Sequence, residues 1–252
     1  MRRPVTWLDV FTSTPLTGNA LAVVHDADGL DDATMHAFAR ETRLSETTYV
    51  QEASAAGADY RNRIWTMAGE LPFAGHPSLG TAVAVARARG ETDAHYVQQT
   101  PAGLQPVDVQ LDGDRARASM LQEPPRFGAR PAIADALAAA GLRDADAHPK
   151  LEPQFVSTGV AHLIVALSDR AALAGAAPAR APLRALPATG SAAGPLLAYL
   201  RERDAAADEL TVHQGIEIGR PSRINCAWEG DRPRVSGDVV AVAEGHLLLG
   251  GD

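Results

Sequence analysis

The stretch Pro72-Phe73-Ala74-Gly75-His76 opens a helical pattern, and the later stretch Pro187-Ala188-Thr189-Gly190-Ser191 repeats its layout. In both stretches a glycine follows three residues after a proline. The residues beyond predict an amphipathic helix to about Arg89 in the first case and over Pro195 to about Glu202 in the second. Short β-prone runs lie on both sides of each helix. The repetition predicts an α+β fold with two similar halves.

The two glycine-led helix starts are candidate anion sites. The first N–H groups of a helix have no partner within the helix, and the helix dipole adds partial positive charge there. Gly75 and Gly190 would let a ligand approach the backbone. One start could then hold a substrate carboxylate, and the other could stabilise developing negative charge. The alternative is that both glycines only serve the joint between loop and helix.

Glu46 and His76 are the titratable candidates for catalysis. Glu46 lies in the mainly uncharged, β-prone stretch Leu44-Ser45-Glu46-Thr47-Thr48-Tyr49-Val50, where partial desolvation would raise its pKa and suit a general acid or base. The alternative is a glutamate on an edge strand that faces water. His76 opens the first helix, where the dipole disfavours its charged form, so it is a candidate neutral hydrogen-bonding partner. The alternative is a helix cap.

Composition excludes several other classes of protein. The 252-residue chain has 23 Lys and Arg against 31 Asp and Glu, a net charge of −8, which argues against nucleic-acid binding. The single cysteine, Cys226, excludes a disulfide framework and multi-cysteine metal sites, and no histidine spacing predicts a metal site. No apolar run could span a membrane, and no apolar segment follows Met1-Arg2-Arg3-Pro4. We therefore expect no membrane partner and a cytoplasmic location.

Two further polar residues each have more than one possible role. Ser191 lies in Gly190-Ser191-Ala192-Ala193-Gly194, which has the wrong offset for the nucleophile elbow of a hydrolase. A role as a helix cap or hydrogen-bond donor fits it better. Arg220 either binds an anion or braces a loop.

Five blocks of sequence resemble the phenazine-biosynthesis PhzF family, in the family's order and at compatible spacing. They are Asp9-Val10-Phe11-Thr12 with Pro15-Leu16-Thr17-Gly18-Asn19, Leu44-Ser45-Glu46-Thr47-Thr48, Leu71-Pro72-Phe73-Ala74-Gly75-His76-Pro77, Ala188-Thr189-Gly190-Ser191-Ala192-Ala193-Gly194 and Gln214-Gly215-Ile216-Glu217-Ile218-Gly219-Arg220-Pro221-Ser222. The resemblance implies a diaminopimelate epimerase-like fold. Two pseudo-symmetric halves each wrap a sheet around a central helix, with the active site between them.

The sequence pattern indicates a boundary between the halves, and the resemblance implies partners and residue roles. Pro124-Pro125 marks the expected boundary between halves 1–122 and 123–252, although the last strand could return to the first half. We expect a homodimer that needs no metal and no organic cofactor. The family's catalytic glutamate, histidine and second-loop serine correspond to Glu46, His76 and Ser191. The matching blocks also contain the residues expected to bind the substrate, which are Asn19, Gly75, Pro77, Thr189, Gly190 and Ala192.

One family residue is missing, and its absence favours one mechanism. Leu186 stands where the family's second loop usually has an aspartate, and the segment before it, around 171–185, is shorter than usual. The second half then offers only Ser191, and a serine without an adjacent base is a poor proton abstractor. Glu46 alone, however, can move a proton between two carbons on one face of a substrate.

We therefore expect a cofactor-independent isomerase. It would shift a C=C bond in a small unsaturated carboxylic or amino acid, in specialised metabolism such as antibiotic biosynthesis, with alkylproline building blocks as a specific candidate. An amino-acid epimerase or a phenazine-type isomerase or cyclase is the first alternative, and it would need a second acid such as Glu70 or Glu217. A catalytically silent small-molecule binder is the second.

Overall fold

The computed structural model describes residues 1–176, 188–203 and 208–250, so Leu186 and most of the 171–185 segment lie outside the described residues. The strands are β1 (Arg2–Val10), β2 (Asn19–Val24), β3 (Glu46–Gln51), β4 (Tyr60–Trp65), β5 (Glu70–Leu71), β6 (Asp93–Thr100), β7 (Gly103–Asp112), β8 (Arg115–Leu121), β9 (Arg126–Phe127), β10 (Gln154–Ser157), β11 (Ala161–Ile164), β12 (Glu209–Gln214), β13 (Ser222–Glu229) and β14 (Arg232–Leu248). The α-helices are α1 (Asp32–Thr42), α2 (Gly75–Arg89), α3 (Ile133–Ala139), α4 (Arg170–Ala174) and α5 (Ala193–Glu202). In these ranges no helix has the length and apolar character that a membrane crossing requires.

The first half is a closed ring of strands around α2. The order is β1-β2-β3-β4-β6-β7-β8-β14, and pairing of β14 with β1 closes the ring. The pairs β2–β3 and β4–β6 are parallel, whereas the other pairs of the ring are antiparallel. Inward-facing apolar side chains of these strands pack against α2 and form the largest hydrophobic core among the described residues.

The helix at the centre of this ring, α2, is buried continuously from Gly75 to Ala86. The prediction of an amphipathic helix is wrong here, because the sheet closes around the helix and leaves these residues no solvent face. Small residues permit the close fit, since a side chain added at Gly80 would meet the Leu21 side chain at 2.5 Å. Gly90, in the left-handed conformation with φ 70°, ends the helix as predicted.

The second half is built around α5. This helix packs against β10 and β11 of the three-stranded sheet β11-β10-β9, and against β12, β13 and β14 of the larger sheet. Its fully buried Leu197 belongs to the main core, whereas Tyr199 packs with Val156 in a separate cluster. The predicted α+β fold with a sheet around a central helix in each half is thereby confirmed, and the two helices are those that follow the glycine-led stretches.

The last strand, β14, joins the two halves. It pairs with β13 through Arg232–Ser236, with β8 through Arg234–Val240, and with β1 from Val239 to Leu248. The last strand therefore returns to the first half. The expected boundary at 122/123 falls just after β8, and the division of the chain into two domains at that point stays a prediction.

Candidate active site

Glu46 and His76 meet at one end of the ring of strands. Glu46 is the first residue of β3 and His76 is the second residue of α2, and Oε2 of the carboxyl lies 3.5 Å from Nε2 of the imidazole. The His76 side chain is fully buried, and that of Glu46 is 12% exposed. Neither of these two atoms has a hydrogen-bond partner among the described residues. The edge-strand alternative for Glu46 is wrong, because β3 lies between β2 and β4 and the carboxyl points inward.

Burial sets the protonation state of both groups. It raises the pKa of Glu46 from the usual 4.5 to about 7, because the charged carboxylate loses its hydration. It lowers the pKa of His76 from 6.5 to about 3, because the imidazolium is the charged form of that side chain. Near neutral pH His76 is therefore uncharged and forms no ion pair with an ionised Glu46. The carboxyl is close to half protonated under these conditions.

Asn19 links His76 to the second half. Its Nδ2 lies 3.1 Å from Nδ1 of His76 and 3.1 Å from the carbonyl oxygen of Ala188, and its Oδ1 accepts a hydrogen bond of 3.1 Å from the Ser45 hydroxyl. Asn19 is buried. Its amide is thus committed to protein partners, whereas the resemblance implies a substrate contact. Ser45 is a further residue of the site, and its local sequence distinguishes it only by its place beside Glu46.

The two glycine-led stretches touch each other. The backbone N–H of His76 donates to the carbonyl oxygen of Thr189 at 3.1 Å, and a side chain added at Gly75 would lie 3.1 Å from the same oxygen. The hydroxyls of Thr189 and Ser191 lie 3.1 Å apart, and Ser191 is half-buried. One of the N–H groups expected to bind an anion is therefore already used within the protein. The contact places the loop Thr189-Gly190-Ser191, which we call the second loop, next to His76.

The other predicted residues lie at the starts of the same two helices. Pro77 is buried in the first turn of α2, and Ala192 is the N-cap of α5. The helix-cap alternatives are wrong for two residues. His76 lies inside α2, whose N-cap is Ala74, and Ser191 precedes the N-cap of α5.

Phe11 fills the joint between the halves, a position that its local sequence does not predict. Its backbone is left-handed, with φ 66°, and its ring is fully buried. A side chain added at Gly190 or Gly237 would meet the ring at 2.5 or 2.4 Å. A bulky residue in this conformation is held there by its surroundings. No local sequence signal indicates such a position.

Arg220 braces the loop that leads to Asn19. Its guanidinium donates to the Asp9 carboxylate at 2.6 Å and to the carbonyl oxygen of Gly18 at 2.9 Å. Asp9 is 2% exposed and also accepts from the backbone N–H of Leu16 at 2.6 Å. Of the two open roles for Arg220, these contacts support the brace.

The two candidate second acids are engaged or exposed elsewhere. Glu70 accepts two hydrogen bonds of 2.7 Å from the guanidinium of Arg63. Glu217 is exposed in the short 3-10 helix Ile216–Ile218. Over residues 1–176, 188–203 and 208–250, no three His, Cys, Asp or Glu side chains form a group that could hold a metal ion. That the enzyme needs no cofactor stays a prediction.

Several known proteins are similar to this chain in sequence over most of its length. The family model described as phenazine biosynthesis-like protein, PhzC-PhzF, matches residues 8–186 and 183–245. A trans-2,3-dihydro-3-hydroxyanthranilate isomerase of Pseudomonas aeruginosa is 35% identical over 280 residues, covering 96% of this chain and 98% of that protein. An uncharacterised isomerase of Mesorhizobium japonicum is 32% identical, covering 96% of this chain and 97% of that protein.

A solved structure shows the same similarity in three dimensions. It is described as a predicted epimerase of Pseudomonas aeruginosa, with 33% sequence identity and a TM-score of 0.90 over 98% of this chain and 100% of that one. This chain therefore resembles that protein in both sequence and fold over nearly its whole length. The chain belongs to the phenazine biosynthesis-like PhzC-PhzF family, and it is an isomerase of that family.

Proposed function

We propose that this isomerase moves a C=C bond in a small unsaturated carboxylic or amino acid, with Glu46 as the one group that carries the proton. The observation that carries the proposal is a buried carboxyl beside a neutral imidazole, with its pKa raised to about 7. A group with a pKa near the working pH can remove a proton in one step and return it in the next.

The proton balance of this reaction closes on a single residue. The Glu46 carboxylate removes a proton from a carbon next to the C=C bond, and the electron pair of the broken C–H bond spreads into a dienolate. The protonated Glu46 then delivers that proton to the far carbon on the same face of the substrate, which moves the double bond and restores the carboxylate. His76 and Ser191, together with backbone N–H groups of the second loop, would stabilise the dienolate.

The surroundings of Glu46 support one base over two. An epimerase that works by two bases needs a second acid or base on the opposite face of the substrate carbon. Glu70 is occupied by Arg63, Glu217 is exposed, and burial raises the pKa of the Cys226 thiol to about 12. These states make all three side chains poor partners for Glu46, which favours the double-bond shift over epimerisation.

The named relative narrows the class of substrate to test first. Trans-2,3-dihydro-3-hydroxyanthranilate, in the name of that relative, denotes a partly reduced ring that carries a carboxylate and an amine. It is therefore an unsaturated amino acid, which falls within the proposed class. A role in specialised metabolism, alkylproline-type substrates and a cytoplasmic homodimer stay predictions for this chain.

Turnover of a panel of unsaturated acids in deuterated buffer tests the proposal. The panel contains trans-2,3-dihydro-3-hydroxyanthranilate, alkenyl carboxylic acids and unsaturated proline analogues, and NMR follows the position of the double bond and of deuterium. We expect a shifted double bond in wild type, a rate about 100- to 10,000-fold lower in Glu46→Gln, and an unchanged rate in Glu41→Gln, a matched variant at an exposed residue of α1.

Three outcomes would contradict this proposal. Equal rates in wild type and Glu46→Gln would remove Glu46 as the base. Inversion of an sp³ centre, seen by chiral chromatography, would establish an epimerase. Saturable binding across the panel without turnover would establish a silent binder.

A further inference from the structure

We propose that Asn19 is a positioning residue that fixes the tautomer of His76, so that the ring presents Nε2–H towards Glu46. The proposal concerns a protonation pattern, which atom positions alone leave open for most histidines. Here a chain of hydrogen bonds that begins at a backbone carbonyl decides the pattern. The tautomer assignment is independent of the proposed function, and only its effect on catalysis rests on that function.

The orientation of the Asn19 amide is set by the second half. The carbonyl oxygen of Ala188, 3.1 Å from the side-chain amide, is an acceptor and has no other protonation state. The atom that faces it must therefore be the NH2 group, Nδ2. The Ser45 hydroxyl agrees with this orientation, because it lies 3.1 Å from the other end of the amide and can donate to Oδ1.

The same NH2 group determines the state of His76. Its second hydrogen points to Nδ1 of the imidazole at 3.1 Å, so Nδ1 has to accept and carries no proton. A neutral imidazole with a bare Nδ1 carries its proton on Nε2. Protonation of Nδ1 would place an N–H against an NH2 group inside a buried cluster, and this opposes the imidazolium in addition to the effect of desolvation.

The resulting Nε2–H faces the carboxyl of Glu46. Nε2 of His76 and Oε2 of Glu46 lie 3.5 Å apart, and both atoms lack another partner within the described residues. An N–H at that place is attracted by the charge of the carboxylate and can donate a hydrogen bond to a negatively charged atom of a bound substrate. The opposite tautomer would set a lone pair against the carboxylate, which would repel it and offer no donor to a dienolate.

The tautomer can be observed directly by NMR of the complete protein labelled with ¹⁵N-histidine. Two-bond ¹H–¹⁵N correlation separates protonated from unprotonated ring nitrogens. The signals that disappear in His76→Gln are those of His76. We expect wild-type His76 to show a protonated Nε2 and a bare Nδ1 from pH 5 to pH 8. A protonated Nδ1 in wild type, alone or together with Nε2, would overturn the proposal without any variant.

Asn19→Asp tests the cause of this tautomer with almost no change of shape. A protonated aspartate has one O–H where the amide has two N–H bonds, so it can satisfy Ala188 or His76 but not both. The carbonyl cannot adapt and the imidazole can, and an ionised aspartate would also need a donor. We therefore expect the proton to move to Nδ1 of His76 and kcat on a panel substrate to fall about 100-fold.

The matched control is Asn62→Asp, which also buries a new carboxyl inside the ring of strands. Asn62 is fully buried, and its Nδ2 donates to Gln98 Oε1 at 2.9 Å. We expect its His76 signals to be those of wild type. An unchanged His76 tautomer in Asn19→Asp, or the same change in Asn62→Asp, would refute the role of Asn19. Because these signals need no substrate, failure of this inference is distinguishable from failure of the proposed reaction.

Discussion

Replacement of Glu46 by glutamine should stabilise the fold at neutral and alkaline pH while it lowers the rate of turnover about 100- to 10,000-fold. In the folded protein the pKa of this carboxyl is raised to about 7, against 4.5 for an ordinary glutamate. The unfolded chain therefore loses the proton at a lower pH than the folded protein does. The raised pKa therefore contributes to the stability of the folded state fully below about pH 4.5, where both states are protonated. This contribution is lost as the pH rises through 7.

The size of the effect follows from the two pKa values. One pKa unit corresponds to about 1.4 kcal/mol, so the shift from 4.5 to about 7 amounts to about 3 kcal/mol once both states are ionised. The side chain is 12% exposed, so solvent screens little of this cost. Glutamine has the same shape and stays neutral at every pH. The advantage of Glu46→Gln over wild type should therefore grow with pH by about 3 kcal/mol, chiefly between pH 5 and pH 7.

Urea unfolding of wild type and Glu46→Gln at pH 5, 6, 7 and 8.5, at constant ionic strength, measures this difference. His76 titrates in both proteins, and its lowered pKa affects stability only below about pH 6.5, where the unfolded chain becomes protonated. Glu41→Gln on the exposed face of α1 serves as the matched control and should follow wild type. A difference between Glu46→Gln and wild type that stays constant over this range would refute a desolvated carboxyl at position 46.

Three further predictions concern the site and its frame. The value of kcat/KM should rise with pH through an apparent pKa of about 7, since the free enzyme must start with ionised Glu46; a flat profile from pH 5.5 to 8.5 would contradict this. Gly190→Ala should cost about 2–3 kcal/mol of unfolding free energy and Gly219→Ala about 1 kcal/mol, because both have positive φ but only the first would meet an aromatic ring; equal losses in urea unfolding would refute the close approach. Arg220→Ala should cost about 3–5 kcal/mol of unfolding free energy, because it leaves the buried Asp9 carboxylate without its ion pair. A loss below 1 kcal/mol in the same assay would mean that this ion pair does not stabilise the loop.

The general plan of the fold can be predicted from local sequence. The spacing from proline to glycine recurs before the two helices that become the centres of the two halves. Asp31 caps α1 through a 2.7 Å hydrogen bond to the N–H of Thr34, and Gly90 ends α2. Each of these features depends on residues that are neighbours along the chain, so the sequence contains them in full.

Other features arise only when distant segments meet. The sequence of α2 has an amphipathic pattern, yet the helix is buried on all sides from Gly75 to Ala86 because β14 pairs with β1 and closes the ring. The left-handed Phe11 is stable because Gly190 and Gly237 leave room for its ring. Neither feature has a local signal, since each depends on backbone that approaches from far along the chain.

The candidate site divides in the same way. Glu46 and His76 are recognisable from their stretches of sequence and from the family resemblance, because residue type and the start of a strand or helix are local properties. The local stretches also predict a raised pKa for Glu46 and an uncharged His76, but the size of each shift depends on distant parts of the chain. The pKa of a carboxyl follows from the water that surrounding strands exclude, and the tautomer of an imidazole follows from an amide that the carbonyl of Ala188 orients. Residue types and local patterns therefore indicate which groups could do chemistry here, whereas the size of their pKa shifts and the direction of their hydrogen bonds depend on contacts that exist only in the folded chain.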